Sequence, residues 1–353
     1  MREPDQGRLD QLLGTLVADY GACVSGVLVV LGDRLGLYKA MADGERWTAE
    51  RLAQATGVPA RYLQEWLSAQ AAAGYVDYDA AEACFRLTPE QAAVFADEGS
   101  PAFFPGAFEV AQAMWTDEPR VAEAFKAGRG FGWHEHCACL FQGVERFFRS
   151  GYKAYLVGEW LPALDGMQGR LEKGAVVADV GCGHGASTVL MAEAFPRSRF
   201  HGFDYHAPSI DRARAIAKAA GVDDRVTFET ASATDYPAER YDLIAMFDCL
   251  HDMGDPVGAG RHVREALADD GIWMIVEPFA HDALEDNLNP VGRIYYGAST
   301  LLCTPASLAQ EVGAALGAQA GEARLRRVAE EAGFTRFRRA AETPFNLVFE
   351  ARA

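Results

Sequence analysis

Four features are scarce or missing in this 353-residue chain: surplus positive charge, long uncharged apolar runs, patterned cysteines and internal repeats. The formal net charge of -17 disfavours sequence-independent binding to nucleic acid or to an anionic membrane, since both need clustered Lys and Arg. No run of about eighteen uncharged apolar residues is evident, and the charged first residues lack an apolar signal core. We therefore expect a cytoplasmic protein that has no membrane segment.

The cysteines do not form a disulfide pattern. There are seven, an odd number, and they are dispersed along the chain at positions 23, 84, 137, 139, 182, 249 and 303. In a chain of this size such a set is typical of reduced thiols. The length predicts two domains, with room for a large core that needs no covalent staples.

Residues 1–100 are predicted to form a winged-helix-like domain. In "WTAERLAQATG", Thr48 suits a helix N-cap and Gly57 suits a helix end. The stretch "VPARYLQEWLSAQAAAG" has the period of an amphipathic helix, and "YVDYDAAEACFRLT" alternates like a short hairpin. Helix, helix, longer helix and hairpin is the winged-helix order.

Residues 101–165 are predicted to be a helical connector that is crowded with aromatic side chains, from Phe103 to Trp160. These aromatics either pack helix against helix or form the wall of a pocket. The stretch "LPALDGMQGRLEKG", which follows, is predicted to be a linker.

The third region, residues 166–353, alternates strands and helices with short connections. The strands are "AVVADV", "RFHGFDY", "RVTFETA", "YDLIAMF" and "IWMIVEPF", and helices are predicted to follow most of them and to fill an insertion over residues 282–320. Such alternation predicts an α/β fold with a doubly wound, Rossmann-like parallel sheet. The closing hairpin in "FTRFRRAAETPFNLVFEARA" adds an antiparallel edge strand.

The first strand of this region ends in a glycine-rich turn, Asp179-Val180-Gly181-Cys182-Gly183-His184-Gly185. The second strand ends in Asp204, about twenty residues further on, where an acid can bind the hydroxyl pair of a ribose. The spacing G-x-G-x-G differs from the dinucleotide pattern, and no phosphate-binding lysine follows. A carboxylate at Asp179 would repel a pyrophosphate but attract an ammonium group, so a nucleoside with a cationic amino-acid tail, S-adenosylmethionine, fits best.

The segments "VVADVGCGHGAS", "HGFDYHAPSI", "TASATDYP" and "YDLIAMFDCLHDMGDP" resemble the successive motifs of class I S-adenosylmethionine-dependent methyltransferases. With the winged helix in front, the chain is similar to a bacterial two-domain group and to plant-type small-molecule O-methyltransferases. The resemblance implies that the winged-helix domain serves dimerisation and substrate cover, and that the acceptor is a small molecule.

The resemblance also assigns roles to residues around the cofactor. Gly181, Gly183 and Gly185 would let the backbone approach the methionine portion, with Asp179 near its amino group. Asp204 would bind the ribose and Tyr205 would lie against the adenine. Ser232, Ala233 and Thr234 would contact the adenine edge, and Phe247 would lie beneath the reacting methyl. The family often has an acid at the position of Ser232, and Asp235 is the alternative for that contact.

The stretch "GWHEHCACL" places His134, His136, Cys137 and Cys139 close together. All four are metal-ligand types, but their spacing does not match common zinc sets, so we assign no metal. Trp133, His134 and His136 are instead candidate substrate contacts, and the alternative is that the histidines lie on the surface or in the core.

In "CLHDMGDP", Asp255-Pro256 suits a helix start, but His251 and Asp252 are not needed for a cap. Plant-type O-methyltransferases have a catalytic His-Asp at this motif, which implies that His251 is the base. His251 is also the one histidine that follows the fourth strand, and either Asp252 or Glu277, at the end of the fifth strand, would orient its ring. Asn287 either orients the substrate or caps a helix of the insertion.

Two functions remain open on the sequence. One is an O-methyltransferase for a small, hydroxylated, aromatic acceptor, with N- or C-methylation as variants. The other is a transcriptional regulator that senses S-adenosylmethionine. The presumed recognition helix carries only Arg61 and Glu65 as charges, which disfavours DNA. The long apolar stretch around "ACVSGVLVVLG" predicts a homodimer through the N-terminal region.

Overall fold

The computed structural model describes residues 3–353. The chain divides into two compact units, of which the first comprises the residues up to Gln112 together with Gln142–Ser150. The second unit comprises Ala113–Phe141 and Gly151–Ala353. The aromatic-rich segment is therefore shared between the two units.

The first unit contains the expected helices and hairpin. Its helices are α1 Gln6–Arg34, α2 Leu37–Ala40, α3 Ala49–Thr56, α4 Ala60–Ala72 and α5 Pro89–Phe95, and its antiparallel strands are β1 Asp77–Asp79 and β2 Cys84–Arg86. The Thr48 side chain accepts from the Arg51 N–H at the start of α3, and Gly57, with a φ of 75°, ends that helix. Both predicted helix signals are thus confirmed.

Helix α1 presents most of its apolar side chains to the surface. Its buried residues are Gly26, Val29, Val30 and Gly32. Among residues 3–353 it is the one helix that is long and apolar enough to cross a membrane, by length and composition alone. Asp10 and Asp19 interrupt its sequence, so the helix contains no uncharged apolar run of about eighteen residues.

Two helices, α6 Pro105–Ala127 and α7 Ala138–Tyr155, contribute residues to both units. The predicted linker after α7 is wrong, because the chain continues into a π-helical turn, Leu156–Trp160, and into helix α8, Met167–Lys173. Leu164, Met167 and Leu171 are spaced by three and four residues and are fully buried. Glycines at Gly166 and Gly169 concealed this helical period in the sequence.

The second unit is built on a seven-stranded sheet in the order β5-β4-β3-β6-β7-β9-β8. Its strands are β3 Val176–Val180, β4 Arg199–Asp204, β5 Val226–Thr230, β6 Tyr241–Phe247, β7 Leu267–Pro278, β8 Arg336–Glu342 and β9 Asn346–Arg352. Strands β3 to β7 pair in parallel, and β9 pairs antiparallel with both β7 and β8. The predicted doubly wound sheet with an antiparallel edge is confirmed.

The helices of this unit are α9 Ala186–Ala194, α10 Ala207–Ala220, α11 Pro256–Ala266, α12 Pro290–Ala298, α13 Thr304–Leu308 and α14 Gly321–Glu331. A second π-helical turn, Ser299–Cys303, joins α12 to α13 within the predicted helical insertion. Strands β3, β6 and β7 are apolar on both faces because helices cover both sides of a parallel sheet. Their side chains form the main core, which includes Val180, Ile244 and Ile275.

Candidate active site

The carboxyl ends of the parallel strands meet at one edge of the sheet. Strand β3 lies between β4 and β6, so the chain runs outward in both directions from this central strand. In open α/β sheets, ligands bind at such a switch point, outside the carboxyl ends of the strands. The turns after β3, β4, β6 and β7 therefore form the candidate site.

The turn after β3 depends on its three glycines. Gly181, Gly183 and Gly185 all have a positive φ, at 80°, 53° and 76°. A Cβ on Gly181 would lie 2.7 Å from the Cys249 Sγ, and one on Gly185 would lie 2.5 Å from the Phe228 ring. A Cβ on Gly183 would meet nothing within 4 Å, so the backbone of Gly183 borders open space.

Asp179 is buried just before this turn. Its Oδ2 accepts hydrogen bonds from the hydroxyls of Ser187 and Thr188, both at 2.6 Å, at the start of α9. Its Oδ1 is buried without a hydrogen-bond partner. Burial raises the pKa of this carboxyl from 3.8 to about 6, although the two hydroxyls oppose the shift. Asp179 is therefore a carboxyl with one oxygen free for a cationic group.

Asp204 ties the end of β4 to the glycine turn. Its Oδ2 accepts from the Gly183 N–H at 3.0 Å and its Oδ1 from the His206 N–H at 2.8 Å. Burial raises its pKa, and these two backbone donors oppose the shift. Each carboxylate oxygen can accept a second hydrogen bond, so the residue still has lone pairs for the hydroxyls of a ribose.

These observations fit S-adenosylmethionine. The free oxygen of Asp179 suits an ammonium group, and the open space at Gly183 lets a ligand approach the backbone. Asp204 keeps acceptor capacity beside that space. Tyr205, the next residue, is half exposed and has its ring centroid 6.1 Å from that of His134.

The turn after β5 and the end of β6 hold the other predicted cofactor residues. Ser232 and Thr234 are exposed, and their hydroxyl oxygens lie 3.2 Å apart, with Ala233 between them. Phe247 is buried at the end of β6 and has its ring centroid 5.3 Å from that of Tyr152. The cofactor contacts of these residues stay predictions.

The turn after β6 places His251 between two carboxylates. Its Nδ1 lies 2.6 Å from the Glu277 Oε2, and its Nε2 lies 3.2 Å from the Asp252 Oδ1. The other oxygen of Glu277 accepts from the backbone N–H groups of Leu250 and His251. The structure therefore brings together the three predicted catalytic residues, with Glu277 orienting the ring.

The ring of His251 is buried, which favours the neutral imidazole and by itself lowers the pKa. The carboxylates of Asp252 and Glu277 outweigh this desolvation and hold the pKa of His251 well above 6.5. A neutral His251 would thus be a strong proton acceptor, because two nearby negative charges stabilise its protonated form.

Sequence reasoning missed several groups at this edge. Asp248 has a φ of 50°, which is unusual for a residue other than glycine, and burial raises its pKa well above 3.8. Its carboxyl accepts from the Asn346 side chain at 2.8 Å and from the Tyr152 hydroxyl at 3.4 Å. Cys303 reaches His251 and Asp252 from the π-helical turn. No sequence pattern links these distant positions.

The segment around residues 131–141 has a different arrangement from a metal site. The His136 Nδ1 lies 2.9 Å from the Asp117 Oδ2 in a buried pair, and burial lowers the pKa of this histidine. His136 is thus buried, with its Nε2 lacking a hydrogen-bond partner, and its contact with a substrate stays a prediction. Cys137 and Cys139 form a disulfide, so the expectation that all cysteines are reduced is wrong. Two cysteines separated by one residue can still bridge, whatever the pattern of the rest.

The remaining candidate substrate residues lie in different settings. His134 is exposed beside Tyr205, and the ring centroid of Trp133 lies 5.8 Å from that of Phe141. Asn287 is buried, and its side chain hydrogen-bonds the backbone of His281 and Ala283. Asn287 therefore closes a loop of the insertion, in line with its alternative structural role.

Two family profiles match the chain. The first, described as a methyltransferase domain, matches residues 171–333, and the second, the Rv2258c-like winged HTH domain, matches residues 22–96. A curated relative is 27-O-demethylrifamycin SV methyltransferase of Amycolatopsis mediterranei (strain S699), which is 30% identical over 140 residues. That alignment covers 39% of this chain and 43% of the relative. The chain thus spans less than half the length of the curated relatives that it matches.

Solved structures with the same fold match over almost the whole chain. Human N-acetylserotonin methyltransferase in complex with S-adenosylmethionine has a TM-score of 0.72 at 15% identity, covering 100% of this chain and 99% of that one. The mitomycin 7-O-methyltransferase has a TM-score of 0.70 at 18% identity, covering 99% and 100%. At these identities the likeness establishes the fold. The two profiles show that the chain carries a methyltransferase domain preceded by a winged HTH domain, the order found in these structural neighbours.

Proposed function

We propose that this methyltransferase methylates a hydroxyl oxygen of a small aromatic molecule, with His251 as the group that takes the proton. The observation that carries the proposal is the buried imidazole held between Glu277 and Asp252 at the carboxyl edge of the sheet. The curated relative is named as a methyltransferase of 27-O-demethylrifamycin SV, and the mitomycin enzyme is named as a 7-O-methyltransferase. Both names support oxygen as the acceptor atom.

S-adenosylmethionine supplies an electrophilic methyl group on a sulfonium. The chain's residues would align the acceptor oxygen for an in-line displacement and remove its proton. The Glu277 carboxylate keeps a proton on Nδ1, which leaves the Nε2 lone pair of His251 to accept the hydroxyl proton. Asp252 stabilises the imidazolium that results. On the cofactor side, Asp179, Asp204 and the glycine turn would hold the amino group and the ribose.

The aromatic side chains of residues 131–141 support an aromatic acceptor. Trp133, Phe141 and His206 form a continuous set, in which the Phe141 and His206 rings stack with centroids 4.4 Å apart. His206 is two residues from the ribose-binding position Asp204. An aromatic cluster close to the proposed cofactor pocket favours a ring over a flexible polar acceptor.

Calorimetry tests the cofactor assignment. S-adenosylmethionine and S-adenosylhomocysteine should bind, whereas NAD should not. Asp204→Ala should weaken binding by roughly 1.5–3 kcal/mol, since hydrogen bonds to a charged group are lost. Asp211→Ala, an exposed acid on the following helix, is the control and should bind normally. Tight binding of NAD, or no binding of either adenosyl compound, would contradict the assignment.

Acceptor screening with an isotopically labelled methyl group tests the chemistry. Phenols, amines and activated carbon nucleophiles should be presented in parallel to the full-length enzyme. Label on oxygen supports the proposal. Label on nitrogen or carbon alone would replace it with one of the other acceptor classes.

The regulator alternative finds little support in the charges of the winged helix. The four arginines between residues 36 and 100 each lie within 4.0 Å of a carboxylate, in the pairs Arg46–Glu82, Arg51–Asp43, Arg61–Glu65 and Arg86–Asp77. Groove binding needs unpaired cations for phosphates. A salt-sensitive, sequence-specific DNA shift at physiological ionic strength would revive the regulator.

We also propose that α1 pairs with a second copy of the chain. Its exposed apolar side chains are Leu12, Leu13, Leu16, Val17, Tyr20, Val24, Val27 and Leu31. Gly14 and Gly21 face open space on the same helix, which would let a partner helix come close. Asp10, Asp19 and the net charge of -17 disfavour an anionic membrane as the occupant.

Light scattering at micromolar concentration should give a dimer mass, and Leu16→Glu/Val17→Glu should give a monomer that still binds S-adenosylhomocysteine. A monomer in the wild type would refute the dimer. Co-flotation with lipid vesicles would identify a membrane as the occupant instead. The cytoplasmic location remains a prediction from composition.

A further inference from the structure

A thiol from outside the motif that contains His251 and Asp252 lies against these two residues. The ligand atoms of His251, Asp252 and Cys303 all lie within 4.8 Å of one another. His251 and Cys303 are buried, while Asp252 is partly exposed. An imidazole, a carboxylate and a thiol make up the donor set that a tetrahedral Zn²⁺ prefers, and three protein ligands leave a fourth position open.

The fold holds Cys303 against the His251 loop. Cys303 ends the π-helical turn Ser299–Cys303, whose wider backbone is frequent at functional sites. The following residues anchor this turn, because the Ser307 hydroxyl donates to the Met253 carbonyl and the Gln310 amide donates to the Asp252 carbonyl, both at 2.8 Å. The three donor atoms are therefore positioned by packing, without a ligand.

Two further features match a metal centre. Glu277 binds the Nδ1 of His251 at 2.6 Å, which is the carboxylate–histidine arrangement that orients a metal-ligating imidazole and leaves Nε2 for the metal. The buried Oδ1 of Asp252 faces the other members of the cluster, with the His251 Nε2 at 3.2 Å and the Cys303 thiol beside it. A cation at the centre of the cluster would bind this oxygen.

We propose that His251, Asp252 and Cys303 form a Zn²⁺ site, and that zinc bound there inhibits methyl transfer. The cation would occupy the Nε2 lone pair of His251, and this same lone pair takes the acceptor proton. The inhibitory part rests on the proposed function, whereas the binding part does not. Thiol ligation releases one proton from Cys303 to solvent, and chelation of the metal restores it.

Cobalt is the spectroscopic probe for binding. Co²⁺ added to the full chain should produce a thiolate-to-metal charge-transfer band that saturates at one equivalent and disappears when Zn²⁺ displaces the cobalt. Cys303→Ala should abolish the band and weaken zinc binding by about 100-fold or more, and Glu277→Gln should weaken it by about 10- to 100-fold.

The matched control removes three cysteines that lie outside the cluster. Cys23→Ser/Cys137→Ser/Cys139→Ser should keep the band, since Cys23 is exposed and the Cys137–Cys139 pair lies elsewhere in the chain. Calorimetry with S-adenosylhomocysteine checks that each variant is folded. Absence of the band in the control, or its persistence in Cys303→Ala, would overturn the site.

Inhibition of methyl transfer by zinc can be measured once the enzyme is found to methylate an acceptor. One equivalent of Zn²⁺ should lower turnover, and a chelator should restore it. In Cys303→Ala, the zinc concentration that halves that variant's own zinc-free rate should rise by about 100-fold. Cobalt binding without zinc inhibition would refute this part alone, and failure to methylate any acceptor would refute the proposed function while leaving the binding result intact.

Discussion

The turn after β3 and the turn after β6 lie at the same edge of the sheet but are held in different ways. Asp179 is bonded to Ser187 and Thr188 in the helix that follows it, and Gly183 is bonded to Asp204 at the end of the neighbouring strand. The His251 turn depends on Glu277 from the next strand and lies against Cys303 from the insertion. The glycine turn is thus held by the next helix and the next strand, whereas the His251 turn also contacts an insertion about fifty residues further along the chain.

Among the substitutions that test this comparison, His251→Ala should have the largest effect, and the effect should be on turnover. Turnover should fall about 100- to 10,000-fold, the usual contribution of general-base catalysis, while S-adenosylhomocysteine binds almost as before. Steady-state kinetics and calorimetry measure the two sides separately. His201→Ala, in the middle of β4, is the control and should leave turnover near the wild-type value. Wild-type turnover in His251→Ala would move the base elsewhere, with His134 next in line.

The second prediction concerns the free oxygen of Asp179. Below a pKa of about 6 this carboxyl is protonated and no longer attracts the cofactor's ammonium, so the affinity for S-adenosylhomocysteine should rise from pH 5 to pH 8. Asp179→Asn should weaken binding by about 10- to 100-fold at pH 8 and flatten this pH dependence. Calorimetry across the range provides the measurement.

Methylthioadenosine, which lacks the amino-acid portion, is the control ligand and should bind Asp179→Asn and the wild type alike. The same substitution should stabilise the unliganded protein. A folded-state pKa above the unfolded value means that the wild type loses stability as pH rises from about 4 through about 6, and the amide removes this loss. Equal pH dependence in both proteins would assign the ammonium to another group.

The third prediction separates the glycines of the turn. Gly183→Ala has space for its Cβ and should lower stability only by the cost of a positive φ, about 1–2 kcal/mol, while weakening cofactor binding. Gly185→Ala would also meet the Phe228 ring at 2.5 Å and should unfold at a distinctly lower temperature. Thermal denaturation and calorimetry distinguish the two. Normal cofactor binding by Gly183→Ala would contradict a close approach of the cofactor to the backbone at this glycine.

The smallest expected effect is on the pH profile. Since Asp252 and Glu277 hold the pKa of His251 well above 6.5, turnover should rise with pH through a group above that value. This replaces the midpoint near 6–7 that an unperturbed histidine predicts. Asp252→Asn removes one negative charge, so the midpoint should move down by about one unit. A profile with the same midpoint in both proteins would show that another group titrates.

The glycine turn and the His251 turn also differ in how much of their structure the sequence predicted. The glycine turn and Asp204 were recognisable because a tight turn and a ribose-binding acid recur at a set distance along the chain. The resemblance implies the His251-Asp252 pair, but Asp252 and Glu277 are equal candidates in the sequence for orienting the ring. Metal-ligand residue types stand out in a sequence when they are close together, as from His134 to Cys139, whereas Cys303 lies far along the chain from His251.

The chain's apolar periods and its strand-end residues predicted the parallel sheet, the winged helix and the glycine turn, because the signals for these elements lie within short segments of sequence. Only the tertiary structure decided which carboxylate takes each nitrogen of His251, that Asn287 closes a loop and that Cys303 lies against His251. Those outcomes depend on packing between segments far apart in the chain, and packing of that kind leaves no periodic pattern in the sequence.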